Sequence, residues 1–270
     1  MRIAACQLNS QDDLGKNLAA VRLRVEEAAR QGARVVVLPE NFAFMGGTDE
    51  ERRAVAESLD ADGPIVSTLR GLAEEHRVHL FAGGMPERSV DPARPHNTHV
   101  VVTPEGAISA AYRKIHLFDV SVGDGQTYAE SAAVTPGEDV VTARAEGFVF
   151  GLSVCYDLRF PELYRALVDR GAEVLLVPAA FTMVTGKDHW HALLRARAIE
   201  NQTYVVAAAQ WGRHPKGRQT FGKSLVVDPW GDVVAQASEG EGVVVTELSR
   251  ERLERVRASL PSLVHRRLGV

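Results

Sequence analysis

A chain of 270 residues, 45% hydrophobic and 24% charged, can bury a large core and has none of the bias of disordered or fibrous sequences. Its formal net charge of -4 and pI near 6.2 provide no basic field, so neither nucleic acid nor an anionic membrane is an expected partner. Two cysteines are too few for a disulfide framework or a Cys-based zinc site, no apolar run approaches the roughly 20 residues of a membrane span, and the short apolar start is broken by polar residues; a reducing cytoplasm is the expected location.

Length alone allows two domains, but alternating strands and helices of this size commonly make one, and a single domain over 1–270 is expected. Cys6 lies in an apolar first strand and reads as a small core residue. Leu14, Leu18, Val21, Val25 and Ala28 recur at helical spacing until Gly32. A strand over 34–38, a helix over 64–76 and a strand over 78–82 follow. Residues 97–103 and 107–112, joined by Pro104-Glu105-Gly106, predict a hairpin. A loop over 118–140 leads to strands over 148–154 and 173–177, a helix over 188–202 and a strand over 204–209. Residues 223–228 and 233–237 around Pro229-Trp230-Gly231 predict a second hairpin. The nearly continuous apolar runs suggest strands covered on both faces, in sheets that mix parallel and antiparallel pairs.

Three chemically complementary groups stand at strand ends. The run 148–154 stops at Cys155, and a turn then feeds a helix with Pro161 in its first turn. Such a turn exposes a nucleophile and can aim the Tyr156 backbone N–H at a developing oxyanion, while a helix N-terminus nearby would favour thiolate. Glu40 ends the run 33–39, where partial burial would raise its pKa and suit a base. Lys114 follows the first hairpin; in a dry cleft its ammonium would stabilise an oxyanion. Each has an ordinary alternative: a buried small thiol, a helix cap or ion-pair partner, a surface lysine. His116 and His189 fit packed histidines better than bases, and Arg159 an ion pair, with Glu162 as partner.

Leu38-Pro39-Glu40, Tyr112-Arg113-Lys114-Ile115-His116-Leu117 and Ser153-Val154-Cys155-Tyr156-Asp157-Leu158-Arg159-Phe160-Pro161-Glu162 resemble the three signatures of the carbon-nitrogen hydrolase (nitrilase-like) superfamily. The resemblance spans essentially the whole chain. It implies an α/β fold, a four-layer α-β-β-α sandwich with mixed sheets, and a catalytic triad of Glu40, Lys114 and Cys155, with Glu130 as an additional glutamate that positions substrate and Lys114. It implies a cysteine-dependent amidase that forms a thioester, releases ammonia and needs no cofactor or metal. It also implies a small-molecule amide as substrate and a homodimer or higher homo-oligomer, associated through the helices after the nucleophile and around Asp188. Residues 188–200, 205–210 and 212–214 are most similar to the deaminated glutathione amidase subgroup, although Phe42-Ala43-Phe44-Met45-Gly46-Gly47 departs from it. An omega-amidase, an N-carbamoyl amide hydrolase and a catalytically silent scaffold are the alternatives. Phe181, Thr182 and Arg213, the last at the head of a basic loop reaching Arg218, are the candidate substrate contacts.

Overall fold

Residues Arg2–Leu8 form strand β1, and its alternation sorts side chains onto two faces: Ile3 and Ala5 enter one core, Ala4, Cys6 and Leu8 another. The computed structural model describes residues 1–123 and 127–269. After β1 come α1 (Leu14–Arg30), β2 (Val35–Leu38), α2 (Asp49–Ala54), α3 (Pro64–His76), β3 (His79–Glu87), β4 (His96–Val102) and β5 (Ile108–Arg113). Next are β6 (Asp119–Ser121), β7 (Thr127–Ala129), β8 (Thr142–Ala145), β9 (Phe148–Leu152), α4 (Pro161–Asp169), β10 (Val174–Leu176) and α5 (Met183–Asn201). The chain closes with β11 (Tyr204–Ala207), β12 (Ala209–Arg213), β13 (Gln219–Phe221), β14 (Leu225–Val227), β15 (Val233–Gln236), β16 (Gly242–Glu247) and α6 (Arg250–Ser259).

One sheet runs β13-β12-β1-β2-β3-β4-β5, with β16 antiparallel to β1; the other runs β15-β14-β11-β10-β9-β8. Phe81 and Val101 of the first sheet pack with Phe150 and Leu152 of the second in a shared core. Val36, Leu38, Leu80 and Val100 face the opposite side, where Leu18, Val21 and Val25 of α1 and Ile65 and Leu69 of α3 cover them. Helices α4 and α5 contribute Leu163, Leu167, Trp190 and Leu194 to the core of the second sheet. The result is the expected α-β-β-α sandwich of mixed sheets. Amphipathic faces, not propensity, hold these helices: each fully buried Val or Leu is worth on the order of 1.5–3 kcal/mol. Helix α1 starts where the Asp13 side chain accepts the Lys16 N–H, and α3 starts with Pro64 at its first turn.

The run 204–209, read as one strand, is two. β11 pairs with β10 in one sheet and β12 with β1 in the other, and the chain crosses between sheets at Ala208. Both halves and the crossing are apolar and buried, so hydrophobicity carries no mark of the switch. Here the Ala208 carbonyl accepts the Ala179 N–H and the Ala179 carbonyl the Gln210 N–H, which ties 178–180 between the two sheets. The helix expected over 188–202 begins at Met183, because Thr182 caps it. Helices α2 and α6 and strands β8, β13 and β16 were not anticipated. The loop expected over 118–140 contains the ribbon β6–β7 and a 3-10 turn over Glu130–Ala132; its residues 124–126 lie outside the described residues. Among the described residues, no helix is long and apolar enough to cross a membrane.

Candidate active site

Glu40 follows directly on buried β2, with only 3% of its surface exposed. Its Oε2 accepts the Ala180 N–H at 3.0 Å, and its Oε1 accepts Asn97 Nδ2 at 2.9 Å and Lys114 Nζ at 3.0 Å. The chain turns away at Asn41, which has a φ of 59° and donates its N–H to the Gly84 carbonyl at 2.8 Å. Gly84 is required by closeness as well as by its φ of +73°. A Cβ there would lie 2.7 Å from Glu40 Cγ and 2.9 Å from Asn97 Oδ1.

Lys114 lies just past β5, and its backbone N–H donates to the Asn97 carbonyl at 2.9 Å. It is no surface lysine. Its Nζ reaches Glu40 Oε1 at 3.0 Å and Glu130 Oε1 and Oε2 at 3.0 and 2.8 Å, so one ammonium bridges two carboxylates. Burial disfavours that charge, but Glu130 and Glu40 outweigh it and hold the Lys114 pKa above its ordinary value. Glu130 is fixed from its other side by the Phe118 N–H, 2.8 Å from Oε2. The ribbon β6–β7 folds the expected loop back so that Glu130 points inward instead of into solvent.

Cys155 opens a 3-10 turn over Cys155–Arg159 between β9 and α4. Its φ of 49° is left-handed for a non-glycine residue, and its N–H donates to the Pro178 carbonyl at 2.9 Å. Backbone strain of this kind concentrates at functional sites, where the surrounding structure enforces it. Two electrostatic expectations are reversed. The thiol is not biased toward thiolate: burial first, then the facing Glu40 carboxylate, push its pKa well up, and Lys114 only partly opposes them. Nor is the Glu40 pKa raised. Burial pulls it up, but Lys114, by charge and hydrogen bond, brings it below the ordinary value. The resting cluster therefore holds a carboxylate, an ammonium and a thiol.

Two buried residues outside the predicted set build this arrangement. Asn97 donates to both Glu40 and Glu130, at 2.9 and 3.2 Å, and so orders the two carboxylates around Lys114. Asp157 is fully buried and receives the Val154 N–H at 2.8 Å, Tyr112 Oη–H at 2.7 Å, and the His116 N–H at 3.1 Å, with His116 Nδ1 at 2.7 Å. It thereby clamps the residues flanking Lys114 to the turn that carries Cys155. Asp157 belongs to the motif around Cys155, but spacing alone does not show which backbone it tethers. His116 is a packed histidine as expected, stacked on Phe160 with ring centroids 3.7 Å apart.

Cys155, Glu40, Lys114 and Glu130 line one cleft of about 770 Å³ together with Tyr156, Phe181 and Thr182. Arg213 does not line it. The residue is exposed at the end of β12, and Lys216 and Arg218, farther along the same loop, face the cleft instead. The turn after Arg213 at Pro215–Gly217 carries the chain back toward the cleft, a reversal that composition does not reveal. Arg159 makes no ion pair with Glu162; it lies over the Phe181 ring at 5.2 Å and the Tyr156 ring at 6.0 Å, with Nη1 3.4 Å from His189 Nδ1. Aromatic rings, not a carboxylate, are its neighbours. Arg52, which sequence reasoning passed over, also lines the cleft.

A buried thiol on a strained turn, facing a carboxylate that shares an ammonium with a second carboxylate on a four-layer sandwich, defines the class of cysteine hydrolases that cleave carbon–nitrogen bonds. The carbon-nitrogen hydrolase family model matches residues 2–258, and the chain belongs to that family. A deaminated glutathione amidase of Synechocystis is 45% identical over 266 residues, covering 97% of each chain. Its Homo sapiens counterpart is 42% identical, covering 98% of this chain and 82% of its own. Among solved structures, the C. elegans NitFhit protein superposes with a TM-score of 0.90 at 41% identity; the match covers 98% of this chain and 65% of that one. Saccharomyces cerevisiae Nit3 superposes with a TM-score of 0.87 at 32% identity over 97% of this chain and 94% of its own.

Proposed function

We propose that the chain works as one domain over 1–270 and is an amidase that hydrolyses small carboxylated amides, with deaminated glutathione as its preferred substrate. The observation that carries the chemistry is the Lys114 ammonium, hydrogen-bonded to Glu40 and Glu130 beside the Cys155 thiol. Glu40, ionised at rest, takes the Sγ proton as sulfur bonds to the amide carbonyl carbon. The carbonyl electron pair moves onto oxygen, where Lys114 Nζ and the Tyr156 backbone N–H receive it. Collapse breaks the C–N bond, and Glu40 returns the proton to the leaving nitrogen. Glu40 then deprotonates water, which attacks the thioester; the C–S bond breaks, the acid leaves and Cys155 regains its proton. Glu130 and Asn97 position Lys114.

The leaving group is ammonia from a primary amide and an amine from a peptide-like one, so the assay follows the acyl acid. The substrate assignment rests on the named relatives and on the cationic wall of the cleft. Comparing kcat/KM for deaminated glutathione, α-ketoglutaramate and simple nitriles tests it: the first is expected fastest and nitriles inert. A clear preference for α-ketoglutaramate would move the assignment to an omega-amidase.

A homodimer is proposed on the exposed side chains of Ile199 at the end of α5 and of Trp230, Val233 and Val234 in the adjacent hairpin; Gly231 packs directly on Ile199. Light scattering showing a 29.4 kDa monomer at micromolar concentration would overturn it. A cytoplasmic location is proposed because both cysteines are free thiols.

A further inference from the structure

Arg52 lies on α2 and reaches the cleft next to Asn41, the residue after Glu40. Its Nη1 donates to Asn41 Oδ1 at 3.2 Å. Although the residue as a whole is partly exposed, its Nε and Nη2 are shielded from solvent, and neither has a hydrogen-bond partner among the described residues. Buried donors on a charged group are almost always paired, because leaving them bare forfeits hydration without replacement. No carboxylate lies within ion-pair distance of this guanidinium among the described residues, although Glu40, Glu130 and Asp49 line the same cleft. Two of those acids are already committed to Lys114. Arg218 adds a second positive charge close enough to repel Arg52.

The two bare nitrogens are not an arbitrary pair. Nε–H and Nη2–H point in the same direction from the guanidinium plane's edge, and together they form the side-on fork that receives both oxygens of a carboxylate. The third nitrogen, Nη1, is the one anchored to Asn41, which fixes the direction of the fork.

We infer that Arg52 is the carboxylate-binding residue of the acyl subsite, taking the terminal carboxylate of a short dicarboxylic monoamide through Nε and Nη2 while Arg218 faces the same anion. This rests on the amidase reading and specifies its substrate class: an amide whose acyl chain ends in a carboxylate. Arg52 moves no proton in the reaction. Its contribution is to hold the acyl chain so that the carbonyl meets Cys155, and the carboxylate supplies the missing partner for two buried donors. An uncharged amide of equal length leaves the fork bare, and a site with an unpaired buried polar group rejects such an analogue strongly.

The experiment compares α-ketoglutaramate with 4-oxopentanamide, which carries a methyl group in place of the carboxylate, and measures glutarate binding by calorimetry. The wild-type protein should prefer the carboxylated amide by about 100-fold or more in kcat/KM. In Arg52→Gln that ratio should fall, and glutarate affinity weaken, by about tenfold or more, without a lower Tm. Arg52→Lys, which keeps the charge but not the fork, should restore only part of either, and it serves as the reading variant should Arg52→Gln not fold. An unchanged substrate ratio or unchanged glutarate affinity overturns the inference. If deaminated glutathione and both of these amides go unhydrolysed, the amidase reading falls, and the glutarate affinity of the Arg52 variants still decides the role of Arg52.

Discussion

Cys6 and Cys155 are both buried thiols, and burial raises the pKa of both, that of Cys6 to about 12. Cys6 is enclosed by the core between the first sheet and α1, among Val21, Val25 and Val36, and does not line the cleft that holds Cys155. Cys155 lies beside Glu40 in the wall of a cleft of about 770 Å³. A dry environment by itself makes a cysteine inert. What distinguishes Cys155 is a base that stays ionised in the same dry place, and Glu40 stays ionised because Lys114 is there to offset its burial. On the proposed mechanism Lys114 serves the resting state as well as the oxyanion, because it offsets the burial that raises the Glu40 pKa.

Exchanging the two thiols in turn is the sharpest way to break this comparison. Cys155→Ala should lower the rate of acid release by on the order of 10⁴-fold or more while leaving the thermal melt near that of the native protein. Cys6→Ser should do the opposite, keeping kcat/KM close to native while placing a hydroxyl in a dry core at a stability cost of about 1–3 kcal/mol, seen as a lower Tm. Substantial turnover by Cys155→Ala would remove the covalent route. Iodoacetamide should alkylate Cys155 in the native protein and spare Cys6.

The charge relation between Glu40 and Lys114 is tested next. Glu40→Gln should cost about 100-fold or more in each half-reaction and also slow alkylation of Cys155. Lys114→Met should cost roughly 100- to 1,000-fold. Lys114→Met carries a second signature: with the ammonium gone, burial is left to raise the Glu40 pKa, so the acid limb of the kcat/KM profile moves to higher pH. A Lys114→Met enzyme that loses rate with no shift of that limb would restrict Lys114 to the oxyanion.

His99 supplies the mildest contrast, a buried titratable group with no acid to offset its burial. Burial lowers its pKa to about 4; Nδ1 lies 3.1 Å from the Ser153 carbonyl, and Nε2 has no partner among the described residues. The unfolded chain, with an ordinary histidine pKa near 6.5, binds the proton first, so this contribution to stability is present above that value and lost as pH falls toward 4. The loss is roughly 3 kcal/mol. A His99→Gln variant should show a flatter dependence of Tm on pH between about 6.5 and 4; an equal slope would assign the acid sensitivity elsewhere.

The sequence by itself determined much of the scaffold and the identities at its strand ends. Apolar period-2 and period-3.6 patterns placed α1, α3, β2 and both hairpins close to where they lie, because burial of one face is a local property of consecutive residues. The sequence singled out Cys155, Glu40 and Lys114 at element ends and, by motif likeness, Glu130, and the four lie together in one cleft. Only the tertiary structure decided the rest. Lys114 is 74 residues from Glu40 and 16 from Glu130, and the pKa shifts of Lys114 and Glu40 follow from distances near 3 Å that no spacing encodes. The expected thiolate and the expected raised glutamate both failed for that reason: desolvation and charge pairing depend on which distant residues fold against a group, and a string of letters carries no distances. The same holds for the sheet change at Ala208, invisible within an unbroken apolar run, and for Arg52, an ordinary helix arginine in the sequence until α2 sets it on the cleft wall with two buried nitrogens unpaired among the described residues.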